Sequence, residues 1–238
     1  MCGRFLLTST ALVIADAFDL DTPFELGPRY NIAPAQAIAA VRASAEDGRR
    51  ELVRLRWGLV PSWSKEFPRD ARLINARSET VAEKPAFRAA FRARRCLVPA
   101  DGFYEWQKLA DGRSKQPFAI GLRDGGPFAI AGLWERWKPR EGAGTDAVES
   151  CALLTTSPNE LMAPIHDRMP VILPKSAWST WLDPALRDPG PLQRLLGPYP
   201  ADAMTAHPVS PWVNDPRHDD ARCLEGGTAS AQGLLLPR

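Results

Sequence analysis

Cys2 carries a nucleophilic thiol and follows the initiator methionine, so both its side chain and its position could serve covalent chemistry. Removal of Met1 is favoured when the next residue is small, and it would leave Cys2 with an α-amine and a thiol on adjacent carbons. The α-amine has a reference pKa of about 7.7–8.0, against about 10.4 for lysine, so it is neutral far more often near pH 7. The thiol is intrinsically very nucleophilic. The pair predicts capture of an aldehyde: the amine forms an imine, and the thiol closes a thiazolidine ring. The alternative is a small buried residue at a tucked-in terminus.

Two further side chains could move protons for such a reaction. Alternation in a predicted strand places Glu105 on one face with Phe103, and partial desolvation there would raise the pKa of the carboxyl toward neutrality. His166, one of three histidines, lies between a predicted helix and a predicted strand and has an ordinary pKa suited to proton transfer. The alternatives are a salt-bridged structural glutamate and a structural histidine.

Other residues indicate an anionic or aromatic ligand. Asn75 and Arg77 would share one face of an extended segment, which suits an oxygen-rich ligand, although a solvated loop is the simpler interpretation. Trp57 and Trp63 flank Gly and Pro in a predicted loop, with Lys65 nearby. Aromatic faces beside cations could stack nucleic-acid bases. The alternative is that both tryptophans are core residues anchoring the loop.

The composition bounds these hypotheses. The 238 residues suffice for one large domain or two small ones, and 45% hydrophobic with 24% charged residues is ordinary for a globular protein. The net charge of +2 does not by itself argue for a nucleic-acid partner. The four cysteines are scattered without a C-x-x-C pair, so we expect neither a metal site nor a disulfide framework, and no cofactor. No signal peptide or membrane-spanning run is evident, which predicts a reduced, cytoplasmic protein.

Periodicity and turn residues predict the elements that would position these groups. We expect a helix over 11–18 capped by Ser9 or Thr10, with Leu12, Ala15 and Phe18 on its apolar face. Ser157 and Glu160 predict a capping box at the start of a helix that leads to His166. Further elements are expected as strands at 37–41, 51–57, 96–99, 117–122, 127–133, 150–156, 171–173 and 203–209, and as helices opened by Pro85 and over 176–182 and 192–196. An exposed loop is expected at 138–149, and a flexible tail from about residue 225.

Six ordered blocks together resemble the SOS-response-associated peptidase (SRAP) family. They are Met1–Phe5, Tyr30–Pro34, Trp57–Trp63, Asn75–Thr80, Gly102–Trp106 and Ile165–Pro170. The resemblance extends from residue 2 to about residue 224. It implies one α+β domain over 1–224, with a mostly antiparallel, barrel-like sheet core flanked by short helices, followed by a tail over 225–238.

The resemblance also implies a function. The family shields abasic sites in single-stranded DNA by a thiazolidine crosslink between its N-terminal cysteine and the ring-opened sugar. Carried over, Cys2 is the nucleophile, Asn75 positions its amine and the sugar, and Glu105 and His166 move protons. Three arginines, Arg4, Arg77 and Arg168, would hold phosphates, and the loop carrying Trp57 and Trp63 would contact DNA. Peptidase activity would be limited to removal of Met1.

Three other classes of protein stay open at this point. An N-terminal-nucleophile amidohydrolase, such as a class II glutamine amidotransferase, also begins Met-Cys-Gly. A thiol peptidase could pair Cys2 with His166. A non-catalytic single-strand-binding module would need neither residue. We expect a monomer with no membrane partner, associated with the nucleoid when bound to DNA.

Overall fold

A computed structural model describes residues 2–21, 25–68, 70–139 and 146–227. The part of the predicted 138–149 loop at 140–145 and the tail beyond residue 227 lie outside these ranges. Among the described residues, no helix is long and apolar enough to cross a membrane.

Thirteen strands and four short α-helices make up the regular structure of the described residues. The strands are β1 (Phe5–Leu7), β2 (Arg29–Ile32), β3 (Ala37–Ala43), β4 (Arg50–Trp57), β5 (Asn75–Arg77), β6 (Arg95–Ala100), β7 (Gly102–Lys108), β8 (Lys115–Leu122), β9 (Phe128–Trp137), β10 (Val148–Thr156), β11 (Met169–Pro170), β12 (Ile172–Leu173) and β13 (Met204–Pro208). The helices are α1 (Ala11–Phe18), α2 (Arg88–Ala93), α3 (Lys175–Leu182) and α4 (Pro189–Gln193).

The larger sheet closes on itself. Its strands follow the order β11-β10-β4-β3-β6-β9-β12, and β9 also pairs with β10, so β10, β4, β3, β6 and β9 form a ring. Most pairings are antiparallel, while β10 runs parallel to β4 and to β5. The expectation of an α+β fold with a mostly antiparallel, barrel-like sheet is therefore confirmed.

The second sheet brings the N-terminus beside the predicted site. Its order is β13-β8-β7-β1-β2, so the short β1 lies between β7, which carries Glu105, and β2. Strand β5 joins the larger sheet through β10, with Asn75 opposite Leu153. The two sheets thus place Cys2 and Asn75 next to each other, although the two residues are far apart in the sequence.

Two local predictions are wrong. Helix α1 is present and Thr10 caps it, but Leu12 is 82% exposed, while Ile14 and Phe18 are buried. Ile14 and Phe18, four positions apart, form the face that packs on the core, so Leu12 and Val13 face solvent. The capping box at Ser157 is also absent: Asn159 Oδ1 accepts the Met162 N–H at 2.9 Å, and the segment forms hydrogen-bonded turns instead of a helix.

Candidate functional site

The N-terminal strand holds Cys2 in a fixed place. Phe5 pairs with Phe103 of β7, and the Tyr104 N–H donates to the Arg4 carbonyl at 2.9 Å. From β5, the Asn75 Nδ2 group donates to the Cys2 carbonyl at 2.7 Å. Cys2 is fully buried. Its backbone is therefore tied to both sheets.

The Cys2 thiol and the Glu105 carboxyl are both buried, and they influence one another electrostatically. Burial raises the pKa of the thiol well above its ordinary value, and the negative charge of Glu105 raises it further. The thiol is thus held protonated in the chain that carries Met1. A thiol peptidase needs the opposite effect, because an adjacent imidazolium lowers the pKa of its cysteine.

Glu105 lies on the buried face of β7, as the alternation predicted. Its side chain is 4% exposed, and burial raises its pKa from 4.5 to about 7. The carboxyl can therefore donate or accept a proton near neutral pH. Phe103, two positions earlier, is fully buried, and strand alternation places it on the same side of β7.

His166 faces Glu105 from the turn that precedes β11. Its Nε2 atom lies 3.9 Å from Glu105 Oε2, and its side chain is 27% exposed. Its Nδ1 atom accepts the backbone N–H of Arg168 at 3.0 Å and lies 2.9 Å from Asp167 Oδ1. The Arg168 amide and the Asp167 carboxylate both contact Nδ1, so the ring is held with its Nε2 edge toward Glu105. Burial lowers the pKa of His166, which favours the neutral form of the ring.

An open groove begins at the exposed edge of His166. It is lined by Arg77, Glu79, Thr80, His166, Asp167 and Arg168. Arg77 is exposed at the end of β5. Arg168 is engaged within the groove, since its guanidinium binds the Glu79 carboxylate at 2.6 and 2.9 Å and the Thr155 carbonyl at 2.7 Å.

A second groove is more basic and adjoins the N-terminal strand. It is lined by Arg4, Trp106, Arg113, Lys115 and Asn214. Trp106 is partly exposed and donates from Nε1 to Asn214 Oδ1 at 2.7 Å, while the Arg4 guanidinium lies 5.7 Å from its ring centre. The sequence prediction did not include Trp106, Arg113 or Lys115. The signal available was strand alternation, which places Trp106 opposite Glu105, and a hairpin that returns two cations to the same end.

Arg4 has an architectural role that the sequence did not predict. Its Nη1 atom donates to Asn31 Oδ1 at 2.7 Å and to the Val213 carbonyl at 2.8 Å. The buried Asn31 donates in turn to the carbonyls of Val213, Asp215 and His218. These contacts bind the C-terminal segment to the strand that presents Cys2.

The two tryptophans that were predicted to contact DNA differ in their exposure to solvent. Trp57 is fully buried, with its ring edge-on to Phe5 and its Nε1 atom donating to the Ile74 carbonyl at 2.9 Å. The prediction that Trp57 contacts DNA is therefore wrong, because it ends a central strand of the ring instead of lying in the loop. Trp63 is 67% exposed and stays available as a surface aromatic, near the exposed Phe67.

Within the described ranges, no group of three or more His, Cys, Asp or Glu side chains could hold a metal ion. Cys96, Cys151 and Cys223 are buried free thiols, like Cys2. The candidate site itself brings together a thiol, a carboxyl, an imidazole and an amide.

Comparison with known proteins identifies relatives along nearly the whole chain. The family model for SOS response associated peptidase (SRAP) matches residues 1–216. The chain is 46% identical to the abasic site processing protein YoaM of Bacillus subtilis over 228 residues, covering 94% of this chain and 98% of YoaM. It is 32% identical to the abasic site processing protein HMCES of Rattus norvegicus over 237 residues, covering 85% of this chain and 66% of HMCES.

Two solved structures share the fold of this chain. A crystal structure of a protein from Bacteroides thetaiotaomicron aligns with a TM-score of 0.81 at 26% identity, covering 95% of this chain and all of the other. A second, from Bordetella bronchiseptica, aligns with a TM-score of 0.73 at 27% identity, covering 88% of this chain and all of the other. From the family model, the relatives and the shared fold, the chain belongs to the SOS response associated peptidase family.

Proposed function

We propose that this protein recognises abasic sites in single-stranded DNA and shields them by a covalent crosslink to Cys2 after Met1 has been removed. The relatives YoaM and HMCES are both named abasic site processing proteins. The observation that carries the proposal is the convergence of four side chains. Asn75 binds the Cys2 backbone, the buried Glu105 acts electrostatically on the Cys2 thiol, and His166 faces Glu105.

The chemistry begins with the sugar. An abasic deoxyribose exists mainly as a closed hemiacetal, and ring opening requires a proton at the ring oxygen and a base at the hydroxyl. Glu105 and His166 can share these roles, because burial brings the pKa of Glu105 to about 7 and lowers that of His166. Glu105 can then donate a proton near neutral pH, and the neutral His166 can accept one.

The crosslink then forms with the loss of one water. The Cys2 α-amine adds to the aldehyde carbon, and the carbinolamine loses its hydroxyl as water to give an imine. The Cys2 sulfur adds to the same carbon and its proton passes to the imine nitrogen, which closes the thiazolidine. Asn75 orients the Cys2 backbone through the 2.7 Å hydrogen bond. Reversal would use the same groups in the opposite direction.

The DNA path is proposed to follow the two grooves that flank the site. Arg77 and Arg168 lie on one side, and Arg4, Arg113 and Lys115 lie on the other. Trp106 offers a partly exposed aromatic face between cations, and Trp63 offers another from its loop. Phosphate contacts of this kind make binding depend on salt.

A crosslinking assay tests the proposal. Protein with its N-terminus verified by intact mass is mixed with a single-stranded oligonucleotide carrying an abasic aldehyde, and adducts are resolved on a denaturing gel. We expect an adduct without added reductant, with the mass of protein plus oligonucleotide minus one water. Cys2→Ala should abolish the adduct and retain salt-sensitive binding.

The matched control is Cys96→Ala, which removes another buried thiol from the described residues and should retain the adduct. An undiminished adduct from Cys2→Ala would exclude Cys2 as the crosslinking residue. An adduct seen only after borohydride reduction would indicate an imine and exclude the thiazolidine. Removal of Met1 is proposed as the one peptidase step, and Glu105→Gln tests whether it depends on the site.

A further inference from the structure

Arg168 presents its hydrogen-bonding edge to a carboxylate of its own chain. Its Nη1 and Nη2 atoms donate to the two oxygens of Glu79 at 2.6 and 2.9 Å, which is the paired geometry that arginine also uses for phosphate. These hydrogen bonds lower the pKa of Glu79, so the carboxylate is charged at neutral pH. Glu79 therefore occupies Arg168 as a phosphate oxygen pair would.

Few donors of Arg168 are left for a ligand. A guanidinium has five N–H bonds. One Nη2 hydrogen goes to Glu79 and the other to the Thr155 carbonyl at 2.7 Å, and one Nη1 hydrogen goes to Glu79. The Nε atom is buried and has no hydrogen-bond partner among the residues that the structure describes. A phosphate can thus form two hydrogen bonds with Arg168 only if the two hydrogen bonds between Arg168 and Glu79 break.

The two partners differ in how easily they can move. The Glu79 side chain is 51% exposed, whereas that of Arg168 is 15% exposed and anchored to Thr155. Glu79 lies in the turn after β5 and lines the same groove as Arg77. Rotation of Glu79 into solvent would leave the guanidinium in place, facing the groove.

We propose that Glu79 competes with DNA phosphate for Arg168 and so restrains non-covalent binding of single-stranded DNA. This inference rests on the proposed function. A strand that is held elsewhere, by the covalent reaction or by the other cations, displaces Glu79. A strand that touches this groove alone must compete with an internal anion. The acidic residue thus reduces the affinity for strands that are not captured covalently, with or without a lesion.

Equilibrium binding tests the proposal without the covalent step. The probes are a single-stranded oligonucleotide with a tetrahydrofuran residue, which has no aldehyde, and the same oligonucleotide without a lesion. Fluorescence anisotropy is measured over a range of salt concentrations. Glu79→Gln should bind both probes about 2- to 5-fold more tightly at low salt. The plot of log K against log salt should steepen by about 0.7, as expected for one added phosphate contact on a single strand.

Two comparisons separate competition from a general change of charge. Glu83→Gln removes the same charge from an exposed residue outside the groove and should change the affinity less than Glu79→Gln does. In an Arg168→Ala background, Glu79→Gln should give no gain. Equal or weaker binding by Glu79→Gln, or an equal gain in either comparison, overturns the proposal. So does an absence of single-strand binding by the wild-type protein.

A different result would contradict the proposed function of covalent capture. If wild-type protein forms no adduct with an abasic aldehyde yet binds the tetrahydrofuran probe, covalent capture is wrong. The comparison of Glu79→Gln with wild type then still decides whether Glu79 competes with phosphate.

Discussion

Burial of Glu105 predicts a measurable cost to stability. The carboxyl has an ordinary pKa of 4.5, and burial raises this to about 7 in the folded state. Between pH 4.5 and about pH 7, Glu105 keeps its proton in the folded protein but loses it in the unfolded chain. Folding is therefore favoured by this group below pH 4.5, and the contribution is lost as the pH rises through 7. Each unit of pKa difference corresponds to about 1.4 kcal/mol, so the loss amounts to about 3 kcal/mol at pH 8.

Glu105→Gln removes this penalty because the amide is neutral at every pH and has nearly the same shape. The variant should be more stable than wild type by about 3 kcal/mol at pH 8, equivalent to about 6–12 °C in Tm, and by far less at pH 4. Urea unfolding followed by fluorescence of the eight tryptophans gives both free energies of unfolding. The two proteins must be matched in N-terminal state by intact mass.

Two control variants make the result interpretable. Glu83→Gln changes an exposed carboxylate and should leave the free energy of unfolding nearly unchanged at both pH values. Glu135→Gln changes a buried carboxylate that accepts from Arg94 at 2.7 Å, and should destabilise because it removes a charged partner from Arg94. A Glu105→Gln variant that is no more stable than wild type at pH 8 would refute the reasoning that burial raises the pKa of Glu105.

Three other substitutions test the framework of the site by the same urea unfolding. Gly58→Ala should cost about 2 to 4 kcal/mol, since Gly58 has a φ of +123° and an added Cβ would lie 2.6 Å from that of Ala71; retention of wild-type stability would contradict the tight contact. Asn31→Ala should cost about 2 to 4 kcal/mol, because Arg4 and buried carbonyls lose their partner; a loss below about 0.5 kcal/mol would contradict that role. Leu12→Ser should change stability by less than about 0.5 kcal/mol, since Leu12 is 82% exposed, and a larger loss would mean that Leu12 is packed in the core.

Much of the sheet could be predicted from sequence because local signals act over a few residues. The strands over 37–43 and 50–57 flank a turn that contains Gly48, and both were expected within two residues of their observed ends. Alternation along β7 correctly separated Phe103 from Tyr104, which lie in different core clusters. Helix α1 shows the limit: its ends were predicted correctly, but its buried face depends on which neighbours it meets.

The site itself required contacts that local patterns do not encode. That Asn75 binds the Cys2 carbonyl follows from β5 joining β10, a pairing between segments far apart in the sequence. The burial of Trp57 follows from its position at the end of β4, where its ring meets Phe5. The engagement of Arg168 by Glu79 likewise depends on how β5 and the His166 turn face one another. Motif order indicated that these residues belong together, but not which atoms are paired.

The attachment of the last described segment to the first strand has a consequence for protein synthesis. Asp219 accepts the N–H groups of Tyr30 and Asn31 and also pairs with Arg29, while Arg4 binds the Val213 and Asn214 carbonyls. The N-terminal strand leaves the ribosome well before these partners, since Arg4 and Val213 are 209 residues apart. A nascent chain that stops before residue 213 therefore lacks these contacts to the N-terminal strand. Translation must therefore pass this segment before the N-terminal strand acquires all of its contacts.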